Sequence, residues 1–325
     1  MSAVNLAKEP RYPSCPGRFA CSSACAGDQG CTRFDSQTLS SLDLTLGGNQ
    51  PDIDFTEFHS RTLGENVQQC CLPDNISMAT QELQNILFSQ GFGTRRVCAG
   101  LIQQGLVSVG HDKILDPSAE FDTTDMQFTV QGTPWRYFEK AYLMLHKPAG
   151  YECSQKPSMY PSIYTLLPAP IRQRGGGAAA GVQAVGRLDQ DTTGLLLLSD
   201  DGKFIHRMSS PKHHVPKVYE VLAKHAVDDV QIQKLLSGVV LDDDPKPVKA
   251  AVCVRTGERQ VSLTLTEGKY HQVKRMIAAV GNRVEDVGGL HRSRIGQLAL
   301  PADLKAGEWR WLTAQDLLAI ADKPV

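Results

Sequence analysis

From Met78 onward the chain takes on a regular alternation of apolar and polar positions that residues 1–75 lack. Leu83, Ile86 and Leu87, then Val97, Leu101 and Ile102, recur at helical spacing on either side of Gly91 and Gly93. That pattern predicts two short helices joined by a glycine turn. Residues 106–110 and 126–130 predict strands of the same small unit. Farther on, 142–145 is a β-like apolar run stopped by Lys147-Pro148-Ala149-Gly150. Four consecutive leucines at 195–198, closed by Asp200-Asp201-Gly202, read as a buried strand ending in a turn. Residues 218–223 predict another strand, and 252–254 with 261–265 a pair joined through Thr256-Gly257-Glu258. A helix is predicted at about 272–280, stopped by Gly281-Asn282. Mixed strands with flanking helices make the class α+β.

The first 75 residues are rich in Ser, Gly, Pro, Asn, Gln and Asp and read as a flexible extension. Residues 174–181, Arg-Gly-Gly-Gly-Ala-Ala-Ala-Gly, read as a second flexible stretch, a loop inserted before the leucine strand. The expected organisation is therefore an extension at 1–75, a small α/β module at 76–136 and a larger domain at 137–325. Residues 1–14 contain no apolar signal-like core, and the leucine run is far too short to cross a bilayer. A cytoplasmic protein with no membrane partner is expected. Nine cysteines suit that compartment if they stay reduced. Of Cys15, Cys21, Cys25 and Cys31 only the middle pair has the spacing of structural zinc ligands, and no metal is expected. Cys98, Cys153 and Cys253 sit among apolar neighbours and read as core.

A net charge of -1 does not mark a nucleic-acid binder, but its distribution is uneven. Residues 1–75 carry five Lys/Arg against nine Asp/Glu, so the remainder carries +3. Basic groups gather in two stretches. One holds Lys203, His206, Arg207, Lys212, His213, His214 and Lys217. The other holds Lys269, His271, Lys274, Arg275, Arg283, His291, Arg292 and Arg294. Such stretches either solvate a face or meet phosphates.

Taken alone, Asp189 before Thr192-Thr193-Gly194 reads equally as a turn former, as does Asp191. The surrounding blocks add a resemblance. Residues 186–202, GRLDQDTTGLLLLSDDG, resemble the signature segment of the pseudouridine synthases. Residues 144–154, 210–219, 267–276 and 289–296 resemble four further blocks of that family, in the same order. The wording of 212–214 and 270–276 is closest to the small-subunit rRNA type, whose target is uridine 516 of 16S RNA. Arg95 and Arg96, followed by residues 101–105, resemble the small RNA-binding module called S4 in a degenerate form, with Leu106 where a basic residue is common.

The resemblance implies a catalytic domain built on a mixed, mainly antiparallel sheet, and isomerisation of uridine to pseudouridine with no cofactor. It implies that Asp189 is the catalytic carboxylate, Lys274 its ion-pair partner and Tyr219 a residue that stacks on the target base. Burial disfavours a charged carboxylate, so such a site needs a cation beside it. The target must leave its stack to be reached, and Arg187 is the candidate to fill the space it vacates. Asp191 is expected to hold the turn. Arg95, Arg96, Lys212, His213, His214, Lys217, His271, Arg275, His291 and Arg292 are the expected RNA-contacting set. The expected partner is ribosomal RNA, met by a monomer. Two other readings stay open: a synthase for large-subunit 23S RNA, and an RNA-binding assembly factor without turnover.

Overall fold

The apolar spacing after Met78 builds a small α/β module. The computed structural model describes residues 80–175, 181–242 and 244–321, which lie within one packed unit. Strand β1 (Thr80–Glu82) leads into helices α1 (Leu83–Gln90) and α2 (Arg95–Gln103). Strands β2 (Val107–Val109), β3 (Asp112–Lys113), β4 (Glu120–Asp122), β5 (Gln127–Val130) and β6 (Thr133–Arg136) follow. β1 pairs with β4, and the others form a sheet ordered β3-β2-β5-β6. Leu83, Ile86, Leu87, Cys98 and Ile102 from the helices bury against Val107, Phe128 and Val130 from the strands. Thr94 caps α2 by accepting a hydrogen bond from the Val97 amide at 3.3 Å.

The larger domain starts with β7 (Tyr142–Lys147) and α3 (Ala169–Gln173), then β8 (Gln183–Val185) and β9 (Thr193–Ser199). It continues through α4 (Gly202–Ser209), β10 (Lys217–Leu222), α5 (Asp229–Ser237), β11 (Val239–Leu241), β12 (Asp244–Val248), β13 (Val252–Gly257) and β14 (Gln260–Leu265). Helix α6 (Gln272–Ala279), strands β15 (Leu290–Ile295), β16 (Leu298–Ala299) and β17 (Trp309–Trp311), and helix α7 (Ala314–Ala321) complete it. The main sheet runs β13-β14-β10-β15-β9-β7-β17, with β8 on β9 and β16 on β15. Its pairings are antiparallel except β15 with β9, so the sheet is mixed and mainly antiparallel.

The leucine run explains the centre of this sheet. Leu195 and Leu197 pack into one apolar cluster, and Leu196 and Leu198 into another. Alternate side chains of a strand point to opposite faces, so a strand covered on both faces reads as a continuous apolar run. The β13–β14 pair is present, but β13 extends through Gly257, so the turn falls one residue later than Thr256-Gly257-Glu258 implies.

Arg174 does not belong to a flexible loop. Its side chain is 3% exposed, and its guanidinium joins the two modules. Nε donates to Asp200 Oδ2 at 2.8 Å, one terminal nitrogen to Gln90 Oε1 at 2.6 Å and the other to the Phe138 carbonyl at 2.6 Å. A planar fork with five donors suits three acceptors in different directions. Beside it, Gly91 has φ +90, and a Cβ there would lie 2.0 Å from the Pro170 carbonyl oxygen. Only glycine permits α1 to end so close to α3. Residues 1–79 and 176–180 lie outside the described residues, and with them the N-terminal cysteines and the Gly/Ala stretch.

Candidate active site

Asp189 occupies the connection between β8 and β9, residues 186–192. The local sequence sorts its side chains by polarity. Arg187 is exposed, Leu188 is buried in the cluster under β7 and β9, and Asp189 is 30% exposed. The Thr192 amide donates to the Asp189 carbonyl at 3.1 Å and closes the turn. Gly194 follows with φ +110, and an added Cβ would meet Arg292 backbone atoms at 2.3 and 2.6 Å. A glycine is required here for β9 to approach β15 directly after the turn.

Lys147 holds the turn from below. It ends β7 with no exposed surface, and its Nζ donates to the carbonyls of Pro148 at 3.0 Å, Gln190 at 3.2 Å and Thr192 at 2.8 Å. All three ammonium hydrogens are used on backbone oxygens of the two adjoining turns. Gly150 N–H adds a bond to the Gln190 carbonyl at 2.7 Å. Burial pushes the Lys147 ammonium down to about 8, outweighing the nearby Asp191 and Asp189 carboxylates. This residue was legible only as part of the stop after β7. A lysine closing an otherwise apolar strand is the signal that could have singled it out.

One pH prediction follows. Deprotonation leaves a carbonyl of the turn without its donor, so turnover is expected to fall as pH rises through about 8, by about tenfold at one unit above. Stability moves the other way. The folded chain releases this proton near 8 and the unfolded chain keeps it to 10.5, so between those values the unfolded state binds more protons and stability rises with pH. Lys217 titrates in the same window, pushed down to about 8 by burial and then by Arg292. The falling limb of kcat is expected to persist in Lys217→Met. Melting curves that fall together with activity would instead assign the limb to unfolding.

Helix α6 supplies the cation. Val273, Met276 and Ile277 anchor it in the core, which turns Lys274 toward the turn. The Lys274 ammonium lies 2.6 and 2.8 Å from the two carboxylate oxygens of Asp191 and 3.3 Å from Asp189 Oδ2. The ion pair expected with Asp189 is therefore shared, and its short contacts go to Asp191. A tetrahedral ammonium can serve both carboxylates of one turn. The other oxygen of Asp189, Oδ1, faces His271 Nε2 at 3.3 Å. His271 precedes α6 in the left-handed region, φ 47 and ψ 33, a backbone conformation that swings its ring toward the turn. Sequence reasoning placed His271 with the RNA contacts and missed this approach to Asp189.

These groups surround a cavity of about 720 Å³, within the range of small-molecule sites. Arg187, Asp189, Asp191, Lys217, Tyr219, His271 and Lys274 all line it. Tyr219 stands in the middle of β10, opposite Leu263 of β14 and Arg292 of β15, and packs against two apolar clusters. Arg292 reaches the same lining but is 1% exposed, and donates to the carbonyls of Leu195 at 2.8 Å and Gly186 at 3.4 Å. That corrects its expected role. A buried guanidinium committed to backbone carbonyls ties β15 to β9 and does not greet a phosphate. His291 points to the opposite face of β15, where its Nδ1 meets Thr193 Oγ1 at 2.9 Å. Burial and then His146 lower its pKa. Unlike Arg292, it is placed away from the cavity.

Lys212, His213 and His214 are exposed on the segment before β10, outside the cavity lining. Arg275 donates to the Tyr270 carbonyl at 3.2 Å on the outer side of α6. Arg95 and Arg96 are exposed at the start of α2, with the Arg95 guanidinium 4.3 Å from the centre of the Phe88 ring. Cys98 and Cys253 are buried as expected. Cys153 packs against the apolar cluster under β7 and β9 and is half-buried, with part of it in the cavity wall.

Comparison with known proteins identifies the family. The family described as RNA pseudouridylate synthase matches residues 141–279, and the S4 domain matches residues 82–126. Ribosomal small subunit pseudouridine synthase A of Pasteurella multocida is 40% identical over 225 residues, covering 69% of this chain and 92% of that protein. The chain belongs to the RNA pseudouridylate synthase family. The protein of the same name from Escherichia coli strain K12 is 43% identical over 179 residues, 55% of this synthase and 73% of its relative. A crystal structure of a pseudouridylate synthase, 34% identical, covers 74% of this chain and 99% of that one with a TM-score of 0.50. The synthase is thus an RNA pseudouridine synthase preceded by an S4 domain. Among the described residues, no helix is long and apolar enough to cross a membrane.

Proposed function

We propose that this synthase isomerises one uridine of small-subunit ribosomal RNA, uridine 516 of 16S RNA or its equivalent, with Asp189 as the catalytic carboxylate. The observation that carries the reading is the position of Asp189. It stands partly exposed in the cavity, one oxygen toward Lys274 and the other toward His271. The Lys274 ammonium sets an opposite charge beside one oxygen, and the His271 ring faces the other. The reaction breaks the bond between C1′ and N1, turns the uracil, and joins C5 to C1′, after which the C5 proton leaves and N1 is protonated. The ionised carboxylate acts at the sugar, as nucleophile at C1′ or as base at C2′. Tyr219 stacks on the base from β10, and Arg187 on the rim fills the gap in the RNA once the nucleotide has swung out. The small-subunit assignment is supported by the names of the relatives from Pasteurella multocida and Escherichia coli. This reading goes with a cytoplasmic location.

Mapping pseudouridines in ribosomal RNA from cells lacking the protein tests the target. Loss of a single site in the small-subunit RNA is expected. A site lost from 23S RNA would move the enzyme to the large subunit. Complete modification everywhere, with RNA still bound by the purified protein, would favour the assembly-factor reading.

A further inference from the structure

We infer that the cavity mouth carries a stacking platform, Met159 and Tyr160 on one wall and Tyr270 on another, which receives the unpaired bases beside the target nucleotide. The inference rests on the reading of this site as one that takes a uridine out of an RNA strand. Its first support is the construction of the loop at 154–160. Three consecutive amides, of Ser158, Met159 and Tyr160, donate to the Glu152 carboxylate at 3.0, 3.0 and 3.1 Å, and Ser158 Oγ adds a fourth bond at 3.0 Å. Ser162 Oγ donates to the Ser154 carbonyl at 2.6 Å, and Ser154 Oγ donates to the Lys156 carbonyl at 2.8 Å. Those backbone donors hold the carboxylate charged, pushed down to about 2. These bonds tie the loop to itself and to Glu152, as in compact surface loops held by their own side chains.

What the loop presents is apolar. Met159 is 88% exposed and Tyr160 is 42% exposed, while Tyr270, outside the loop, is 70% exposed. All three line the cavity that contains Asp189. Tyr270 is oriented by its neighbour, because its ring lies on the His271 ring with centroids 3.8 Å apart and planes 20° from parallel. One ring face is covered, and the other remains open to a partner. Aromatic surface held open at the rim of a site, and unused by the core, marks a binding surface.

The charge around it selects the partner. Arg187, Lys217 and Lys269 line the same cavity alongside the carboxylates of Asp189, Asp191 and Glu267, and these basic groups suit the phosphates of a nucleic acid whose bases bring apolar faces. When one nucleotide leaves its stack, its neighbours each lose a stacking surface. Tyrosine and methionine side chains can replace it without reading base identity, as in single-strand binding grooves. The platform therefore offsets part of the cost of extracting the uridine and sets which local RNA structures are accepted.

The test uses the full chain and a short fluorescein-labelled RNA with one uridine flanked by purines, compared with the same RNA carrying abasic sites at both flanks. Wild-type protein is expected to prefer the purine-flanked RNA by about tenfold in Kd. Met159→Ala/Tyr160→Ala and Tyr270→Ala are expected to lose most of that preference, and Tyr270→Phe to keep it. Glu152→Gln, which weakens the loop while leaving its apolar residues in place, is expected to lose part of it. No preference in the wild type, or full preference in both alanine variants, overturns the platform. Pseudouridine formation is scored separately. A flank preference without any isomerisation would overturn the proposed function and leave the platform standing.

Discussion

Asp189→Asn is expected to lower pseudouridine formation by at least about 10³-fold, within the span of a lost general base or nucleophile. RNA affinity is expected to stay within about tenfold, ~1.4 kcal/mol. Asparagine keeps the shape of the side chain and can still accept from Lys274, so the turn is retained. What it loses is the negative charge and lone pair at the sugar. Asp191→Asn separates chemistry from positioning. It removes the carboxylate that takes the two shortest Lys274 contacts, 2.6 and 2.8 Å. Weakening a charge-assisted bond of this kind is worth about 1.5–3 kcal/mol, which is roughly tenfold to a hundredfold in rate. Single-turnover assays on the mapped RNA measure both. Turnover near wild type in Asp189→Asn would remove Asp189 from the chemistry. Equal losses in the two variants would make the carboxylates a functional pair.

The second large effect is on stability. Arg174→Met removes the cation of a nearly buried pair and leaves Asp200, 19% exposed, with an uncompensated charge. It also takes a donor each from Gln90 and from the Phe138 carbonyl. Removing one partner of a buried pair costs about 3–5 kcal/mol. For a domain of this size that lowers the thermal midpoint by roughly 10 °C. Arg174→Lys keeps a charge but not the fork, and is expected to recover only part of the loss. Because Gln90 ends α1, the S4 domain is expected to become more open to limited proteolysis at the 137–141 connection in Arg174→Met. An unchanged melting point and cleavage pattern would reduce this cluster to a surface contact.

These two effects differ in how far the sequence announces them. Asp189 sits in a segment whose local order carries much of the result: Leu188 turns inward, four leucines follow, and strand β9 is buried on both faces. Helix α6 was legible in its span and its Gly281-Asn282 stop, and the structure adds that Val273, Met276, Ile277 and Val280 form its inner side. Arg174 was hidden by its company. It precedes a run of Gly and Ala, so composition argued for a loose loop, while its partners Gln90, Phe138 and Asp200 lie 84, 36 and 26 residues away. The sharing of Lys274 between Asp189 and Asp191 was hidden differently. The turn offers two carboxylates two residues apart, and spacing does not say which the helix faces. His291 and Arg292 were both counted as RNA contacts because both are basic. Strand alternation sends one to each face of β15, and pairing with β9 buries the arginine.

The arrangement around Gly194 has a consequence for how damaging variants of this synthase should be interpreted. The turn that bears Asp189 runs without a linker into the most deeply packed strand of the sheet. A conservative change at Leu196 or Leu198 touches no substrate, yet its packing loss of about 1–3 kcal/mol would deplete the folded enzyme in a cell. Undermodified RNA from such a strain would then look like a defect in catalysis. Normalising modification to the amount of native protein separates the two, and a clinical or evolutionary reading of substitutions in residues 189–199 needs that denominator first.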